Sequence, residues 1–295
     1  MTTPYIEKPI FIVGSGRSGT TLLYNLLAVH PDVCWFSEFT DKYPDNPYGA
    51  VLQKLLQMPI IGIRLQRAVM SESAPFFIKP SEGSTIYDNY SGFVRHKRST
   101  EKDRSGEVEN KFKLTIKKHL MATGKSRFIN KQPANTQRIR LIHALFPDAY
   151  FVHIIRDGRG LANSLIQTDW WQNTQLWWMH GQKPSEIKRY KRNPIKLCAL
   201  HWKHNVIEVR RSKKLLGKRY MEIRYEKLIS DPRGAVKNIL QFCELPLVDQ
   251  YIQQISKKFP NMNNKWKKEL TVQQQKLLQT TLNPFLRELG YLGKQ

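Results

Sequence analysis

The feature that most constrains this chain lies at its start. Pro9-Ile-Phe-Ile-Val13 is a short apolar run, followed at once by Gly14-Ser-Gly-Arg-Ser-Gly19 and then by Thr20 to Val29, apolar at helical spacing up to Pro31. A continuous apolar run of that length suits a strand buried on both faces. Glycines let the backbone turn tightly, so that successive N–H groups and the helix N-terminus converge on an anion. Strand, glycine loop and helix in that order call for an α/β fold of the phosphate-loop kind: a parallel sheet with helices on both faces.

The remainder agrees with alternating strands and helices. Ala149–Ile155 is the clearest strand, with further strands at Arg127–Asn130 and Tyr220–Arg224. Helices are expected over Pro133–Phe146, Arg159–Thr168, Pro194–Leu216, Pro232–Cys243 and Thr271–Leu289, the first with proline well placed in its opening turn. Residues 50–70 read as helical, interrupted at Pro59 and Gly62, and residues 91–110 as a mobile surface segment. No internal repeat and no clean linker is visible, so one domain over 1–295 is expected. No run of eighteen apolar residues marks a membrane span, and Met1 to Pro9 holds no signal-peptide core. Cys34, Cys198 and Cys243 are scattered and odd in number, spelling neither a disulfide framework nor a zinc site. A cytoplasmic, reduced protein without a metal is the expectation.

Charge narrows the ligand. The net charge is +24, and it is concentrated: residues 91–140 hold 14 Lys/Arg against 4 Asp/Glu, and residues 183–224 hold 14 against 3. A field of that size favours phosphates, acidic glycans, an anionic membrane surface or nucleic acid. No zinc finger or RNP motif supports a dedicated nucleic-acid module.

Within the loop, Gly14-x4-Gly19-Thr20-Thr21 has the phosphate-loop skeleton, yet Thr20 stands where a nucleoside triphosphatase carries lysine. Arg17 places a cation earlier instead. Such a loop suits a 5′-phosphate better than a magnesium triphosphate. Two other readings stay open on residues alone: a nucleotide kinase, against which Thr20 counts, and a basic nucleic-acid-binding protein with a degenerate phosphate loop.

Three segments together carry a family resemblance. Gly14-Ser-Gly-Arg-Ser-Gly-Thr-Thr-Leu-Leu23 resembles the 5′-phosphosulfate loop of sulfotransferases that use 3′-phosphoadenosine 5′-phosphosulfate (PAPS). Phe151-Val-His-Ile-Ile-Arg-Asp-Gly-Arg-Gly-Leu-Ala-Asn-Ser164 resembles that family's 3′-phosphate motif, a strand ending in Arg with a helical Ser eight residues on. Arg224-Tyr-Glu-Lys-Leu-Ile-Ser-Asp-Pro232 resembles its strand–Tyr-Glu–helix segment. Within the family the pattern is most similar to the tyrosylprotein sulfotransferases, through His30-Pro31 leading to Glu38, Asn130-Lys131-Gln132-Pro133, and Lys265-Trp266. The chain departs from them at Thr168, where those enzymes carry Arg, and after Ser256, where its tail is shorter. The fold and donor therefore carry over better than the acceptor.

The resemblance implies a role for each matching residue. Arg17 and the loop residues Ser18, Gly19, Thr20 and Thr21 would hold the 5′-phosphosulfate. Lys131 would reach the bridging oxygen as charge develops, and Arg156 and Ser164 would bind the 3′-phosphate at the ligand edge of the sheet. Tyr225 would contact the adenine, and Lys265 and Ser256 would close over the nucleotide. Glu38 is the candidate base for a hydroxyl acceptor. Burial would raise its pKa and neighbouring cations would lower it. His30, His143 and His153 are rival bases, with His153 expected in the core and His30 at a helix end. Four tryptophans in nine positions, Trp170, Trp171, Trp177 and Trp178, either pack under a loop or wall an acceptor pocket. Oligomeric state and acceptor class are not legible here.

Overall fold

The computed structural model describes residues 5–91, 93 and 96–292. Five strands form one sheet: β1 (Ile10–Val13), β2 (Val33–Cys34), β3 (Arg127–Lys131), β4 (Tyr150–Ile155) and β5 (Tyr220–Arg224). Their order is β2-β3-β1-β4-β5, and every pairing is parallel. Side chains of β1 alternate between the faces, as a strand demands. Ile10 and Ile12 enter a buried cluster with Leu23, Leu27 and Ile239, whereas Phe11 and Val13 enter another with Phe128, Phe151 and Ile142. Both faces are covered by helices, which explains why β1 and β4 read as unbroken apolar runs. A third cluster, beyond the end of β4, gathers Leu161, Trp171, Trp202 and Leu282.

This topology places a crevice. The chain leaves β1 toward one side, through β2 and β3, and later crosses to β4 and β5 on the other. Ligands of open parallel sheets bind at the carboxyl ends of the strands where that reversal occurs. In register, Ile12 lies opposite Lys131 on one side and Val13 opposite His153 on the other. Thus β1 delivers the glycine loop, β3 delivers Lys131 and β4 leads into Arg156, all at one edge.

Several elements differ from the sequence reading. The helix expected over Pro133–Phe146 is a 3₁₀ turn, Pro133–Gln137, followed by a helix over Ile139–Leu145. The Gln132 side chain accepts the Ala134 N–H at the start of the turn, and Arg138 at φ −120° breaks the helical path. The expected helix Pro194–Leu216 ends at Arg211 and resumes for one turn over Lys213–Leu216. Around residue 60 the break is real: a 3₁₀ stretch Pro47–Gln57 gives way to a helix over Ile61–Met70.

The segment 91–110, expected to be mobile and on the surface, is largely exposed and is tied to neighbouring elements where it can be followed. Gly92, Val94 and Arg95 lie outside the described residues. Downstream, Arg98 pairs with Glu208, Arg140 with Glu101, and the Ser99 N–H donates to the Gln137 carbonyl at 3.0 Å. A helix then begins at Gly106 and runs to Thr123. Its charges concealed a buried stripe at i, i+4, i+8: Phe112, Ile116 and Leu120.

All three cysteines are buried and free, and burial pushes the Cys34 and Cys243 thiols up to about 12. Among the described residues no helix is long and apolar enough to cross a membrane.

Two core histidines set a pH dependence. Burial pulls His153 down to about 3 and His119 to about 4. Folded, they stay neutral; unfolded, they take up protons below about pH 6.5. The unfolded state therefore binds more protons, and stability must fall as pH drops below about 6.5. The expected slope is about 1.4 kcal/mol per histidine per pH unit. Melting temperatures at pH 7.5 and pH 5.5 check this; an unchanged melting temperature would mean the imidazoles are accessible.

Candidate active site

The glycine loop turns sharply at two left-handed positions. Arg17 sits at φ 69° and Gly19 at φ 88°, both in the left-handed region, so consecutive N–H groups turn inward. Left-handed backbone at a non-glycine residue is strained, and such strain persists where surrounding contacts hold it. Here the Arg156 guanidinium donates from Nη1 to the Arg17 carbonyl at 2.9 Å. Glycine is required at two points. A Cβ on Gly14 would stand 2.7 Å from the Ile154 carbonyl, and one on Gly19 would stand 2.5 Å from the Tyr225 ring. Helix α1 (Thr20–Ala28) then starts with no side-chain cap, which leaves its first-turn N–H groups open toward the crevice.

Four of the residues singled out from sequence meet behind this loop. Arg17 Nε donates to Ser164 Oγ at 3.0 Å, joining the loop to the helix Gly158–Ile166. Arg156, only 6% exposed, also donates from Nε to Asn263 Oδ1 at 2.7 Å and lies 4.7 Å from the Tyr225 ring centre. Burial pulls its guanidinium below the ordinary value, and Tyr225 and Glu226 oppose that pull. Glu226, in the Tyr-Glu segment, accepts from the Asp157 N–H at 3.1 Å, from Tyr291 Oη at 3.0 Å and from Asn263. That carboxylate binds the end of β4 to the C-terminal segment. Asp157 and Arg159 pair with each other, as anticipated, at 2.7 Å.

Not every named residue arrives. Ser18 is buried, and its N–H donates within the loop to the Ser15 carbonyl at 3.1 Å. Ser256 is exposed, and its hydroxyl donates to the Lys258 carbonyl. Lys265 is also exposed, beside Asn263 on the turn that packs against the Gly158–Ile166 helix. Among the described residues, neither Ser256 nor Lys265 forms a hydrogen bond or ion pair with the loop.

On the opposite side of the loop, Lys131 is 4% exposed and forms an ion pair with Glu82. Glu82 was not found from sequence, because it lies in a Ser-Glu-Gly turn with no motif around it. Its position is imposed by tertiary stitching. Asn130 Nδ2 donates to the Glu82 carbonyl at 3.1 Å, and Tyr87 Oη donates to Asn130 Oδ1 at 2.9 Å. The Glu38 N–H donates to the Lys79 carbonyl at 2.8 Å, and the Ser81 N–H to the Phe36 carbonyl at 2.7 Å. Asp41, in the short helix α2 (Glu38–Lys42), accepts from Ser81 Oγ and from the N–H groups of Thr85 and Ile86. Glu38 and Glu82 are thereby held on two stitched segments next to Lys131. Burial raises the Glu38 carboxyl above its ordinary value; Lys79 and Lys131 oppose the rise, and Asp41 and Glu82 add to it.

The rival histidines have structural work. His30 is buried, with Nε2 2.9 Å from the Pro246 carbonyl and Nδ1 accepting the Asp32 N–H. His153 is buried mid-strand against Tyr220 Oη. Neither these two nor His143 lines the crevice.

A cavity of about 810 Å³ opens over the loop, with Arg17, Thr20, Thr21, Lys131 and Glu82 at one end. The tryptophans divide between the two expectations. Trp171 is fully buried, and Trp178 stacks on His204 at 4.1 Å. Trp170 and Trp177 line the cavity. Trp177 Nε1 donates to Asn205 Oδ1 at 2.9 Å, and Asn205 Nδ2 reaches Ser15 Oγ at 3.2 Å, tying this wall to the glycine loop. Among the described residues, no group of three or more His, Cys, Asp or Glu side chains is arranged to hold a metal ion.

A parallel sheet, a glycine loop without the triphosphate lysine, a buried lysine on the neighbouring strand, and an Arg at the next strand end that braces the loop define a class. The chain belongs to the sulfotransferase family, whose model matches residues 9–250. It is similar to a protein-tyrosine sulfotransferase of Drosophila melanogaster, 24% identical over 82% of this chain and 39% of that protein. It is also similar to the omega-hydroxy-beta-dihydromenaquinone-9 sulfotransferase Stf3 of Mycobacterium tuberculosis, 26% identical over 98% of this chain and 76% of the relative. The chain spans about half or less of the two protein-tyrosine sulfotransferases it matches. Among solved structures, sulfotransferase STF9 of Mycobacterium avium shares the fold at a TM-score of 0.58, with 15% identity over 96% of this chain and 77% of that one.

Proposed function

We propose that this protein transfers a sulfuryl group from PAPS to a hydroxyl acceptor by in-line displacement. The observation that carries the reading is the placement of Lys131. The loop lacks the triphosphate lysine, and a buried lysine from β3 stands at the same crevice, paired with Glu82 and within electrostatic reach of Glu38. The loop fits the donor: uncapped N–H groups and Arg17 suit the 5′-phosphosulfate, and Arg156 with Ser164 suits the 3′-phosphate. PAPS supplies the activated sulfuryl group.

The chain's own groups then have separable tasks. Glu38 takes the acceptor's hydroxyl proton as the new O–S bond forms. Lys131 and the loop N–H groups neutralise charge on the bridging oxygen as the old S–O bond breaks, leaving adenosine 3′,5′-bisphosphate (PAP). Tyr225, already against Gly19 and Arg156, faces the nucleoside.

Donor specificity is the direct test. PAP should stabilise the fold by RT ln(1 + [L]/Kd), about 2.7 kcal/mol at a hundredfold excess over Kd, and ATP by far less. Equal thermal shifts with ATP, or dependence on magnesium, would point to a kinase.

Arg156 is expected to act twice. Arg156→Ala should weaken PAP binding by about 1.5–3 kcal/mol, the range for hydrogen bonds to a charged group. It should also lower the melting temperature, because the Arg17 carbonyl and Asn263 lose their brace. A ligand without the 3′-phosphate should lose less affinity. Equal losses for both ligands in calorimetric titration would make Arg156 a brace only.

A further inference from the structure

The cavity wall beside the phosphate loop has a definite chemistry. Its lining comes from the turn Pro133–Gln137 and from the segment Trp170–Trp177. Trp170 is half exposed, and its ring tip lies over Gly16, where a Cβ would touch it at 3.5 Å. A half-exposed indole therefore borders the loop that would hold the group to be transferred. Around it stand side-chain amides rather than aliphatic groups. Asn173 and Gln175 are exposed, line the cavity and make no side-chain hydrogen bond among the described residues. An amide offers a donor and an acceptor side by side, and a hydroxyl is likewise both. Adjacent hydroxyls on a ring match that pattern, and the C–H face of the ring matches the indole.

Other acceptor classes fit this wall less well. An acyl chain needs an extended apolar lining, and here Leu165, Pro133 and Ala134 are the aliphatic contributors among the described residues. A strongly acidic peptide needs several cations; beyond the loop and Lys131, Lys183 is the one that lines the cavity.

Resting on the sulfotransferase reading above, we propose that the acceptor is a carbohydrate, stacked on Trp170 with its hydroxyls held by Asn173 and Gln175. Trp177, fixed through Asn205 to the glycine loop, lines the same cavity.

The test has two arms. PAP-loaded protein is applied to a glycan array, and radiolabelled PAPS is offered with a neutral oligosaccharide series, a tyrosine-containing acidic peptide and a long-chain primary alcohol. Retention of a glycan and label in the oligosaccharide arm are expected. Trp170→Ala should raise KM for the oligosaccharide at least tenfold, Trp170→Phe should restore most of it, and the double variant Asn173→Ala/Gln175→Ala should raise KM severalfold. Absence of any retained glycan, or label confined to the peptide or alcohol arm, overturns the carbohydrate assignment and leaves the sulfotransferase reading intact. Failure of PAP to raise the melting temperature of the wild type overturns both.

Discussion

Glu38→Gln should lower turnover by about 10²–10⁴, the usual contribution of a general base, while the Kd for PAP barely moves. The substitution keeps the shape of the side chain and removes its capacity to accept a proton. Because burial raises the Glu38 carboxyl, the acid limb of the wild-type rate profile should lie above the usual carboxylate range. The sign follows from the role: the carboxylate must be ionised to act, so turnover climbs as pH rises through that pKa. The limb should vanish in Glu38→Gln. An acidic phenol, already ionised at the assay pH, should lose less than an alcohol does, since no proton remains to be removed. Paired rates on the two acceptors, for wild type and variant, check this. Wild-type turnover on the alcohol would take Glu38 out of the mechanism.

Lys131→Ala should cost about 10²–10³ in turnover, the magnitude seen when one donor to a developing negative charge is removed. Its geometry gives this prediction a second part. Lys131 is buried and paired with Glu82, which lines the cavity, whereas Glu38 does not. If Glu82 holds Lys131 until the donor arrives, Glu82→Gln should tighten PAP binding severalfold and preserve turnover. A fall in turnover as deep as that of Glu38→Gln would make Glu82 the base instead. Turnover and PAP affinity measured for the three variants, Glu38→Gln, Glu82→Gln and Lys131→Ala, therefore assign each of the three charges.

Much of this site was legible in one dimension because its parts are local. A tight turn between strand and helix needs glycine at fixed positions, and Gly14 and Gly19 do stand where a side chain would collide. The apolar runs of β1 and β4 read as strands because both faces of the sheet are covered. Arg17, Ser164, Arg156 and Tyr225 are spread over more than two hundred residues of chain, and the resemblance in three segments anticipated their convergence. Elements shaped by mixed signals were harder to read. Strand β2 is two residues long, and the Gly106–Thr123 helix hides three apolar positions among lysines.

What the sequence determined by itself, then, is the frame: a parallel sheet, a glycine loop without the triphosphate lysine, and a strongly basic chain. Backbone geometry and hydrophobic period are encoded within a few residues, and so they can be read locally. The tertiary structure alone decided which side chains share the crevice. Glu82 is there because Asp41, Asn130 and Tyr87 hold its turn against β3. Trp170 faces the cavity while its neighbour Trp171 is buried, although the two are identical and adjacent in sequence. The C-terminal turn engages Arg156 through Asn263, while the Ser256 hydroxyl turns to the Lys258 carbonyl. The placements of Glu82, Trp170 and Asn263 depend on contacts between segments distant in the chain, and such contacts exist only once the sheet has brought the segments together.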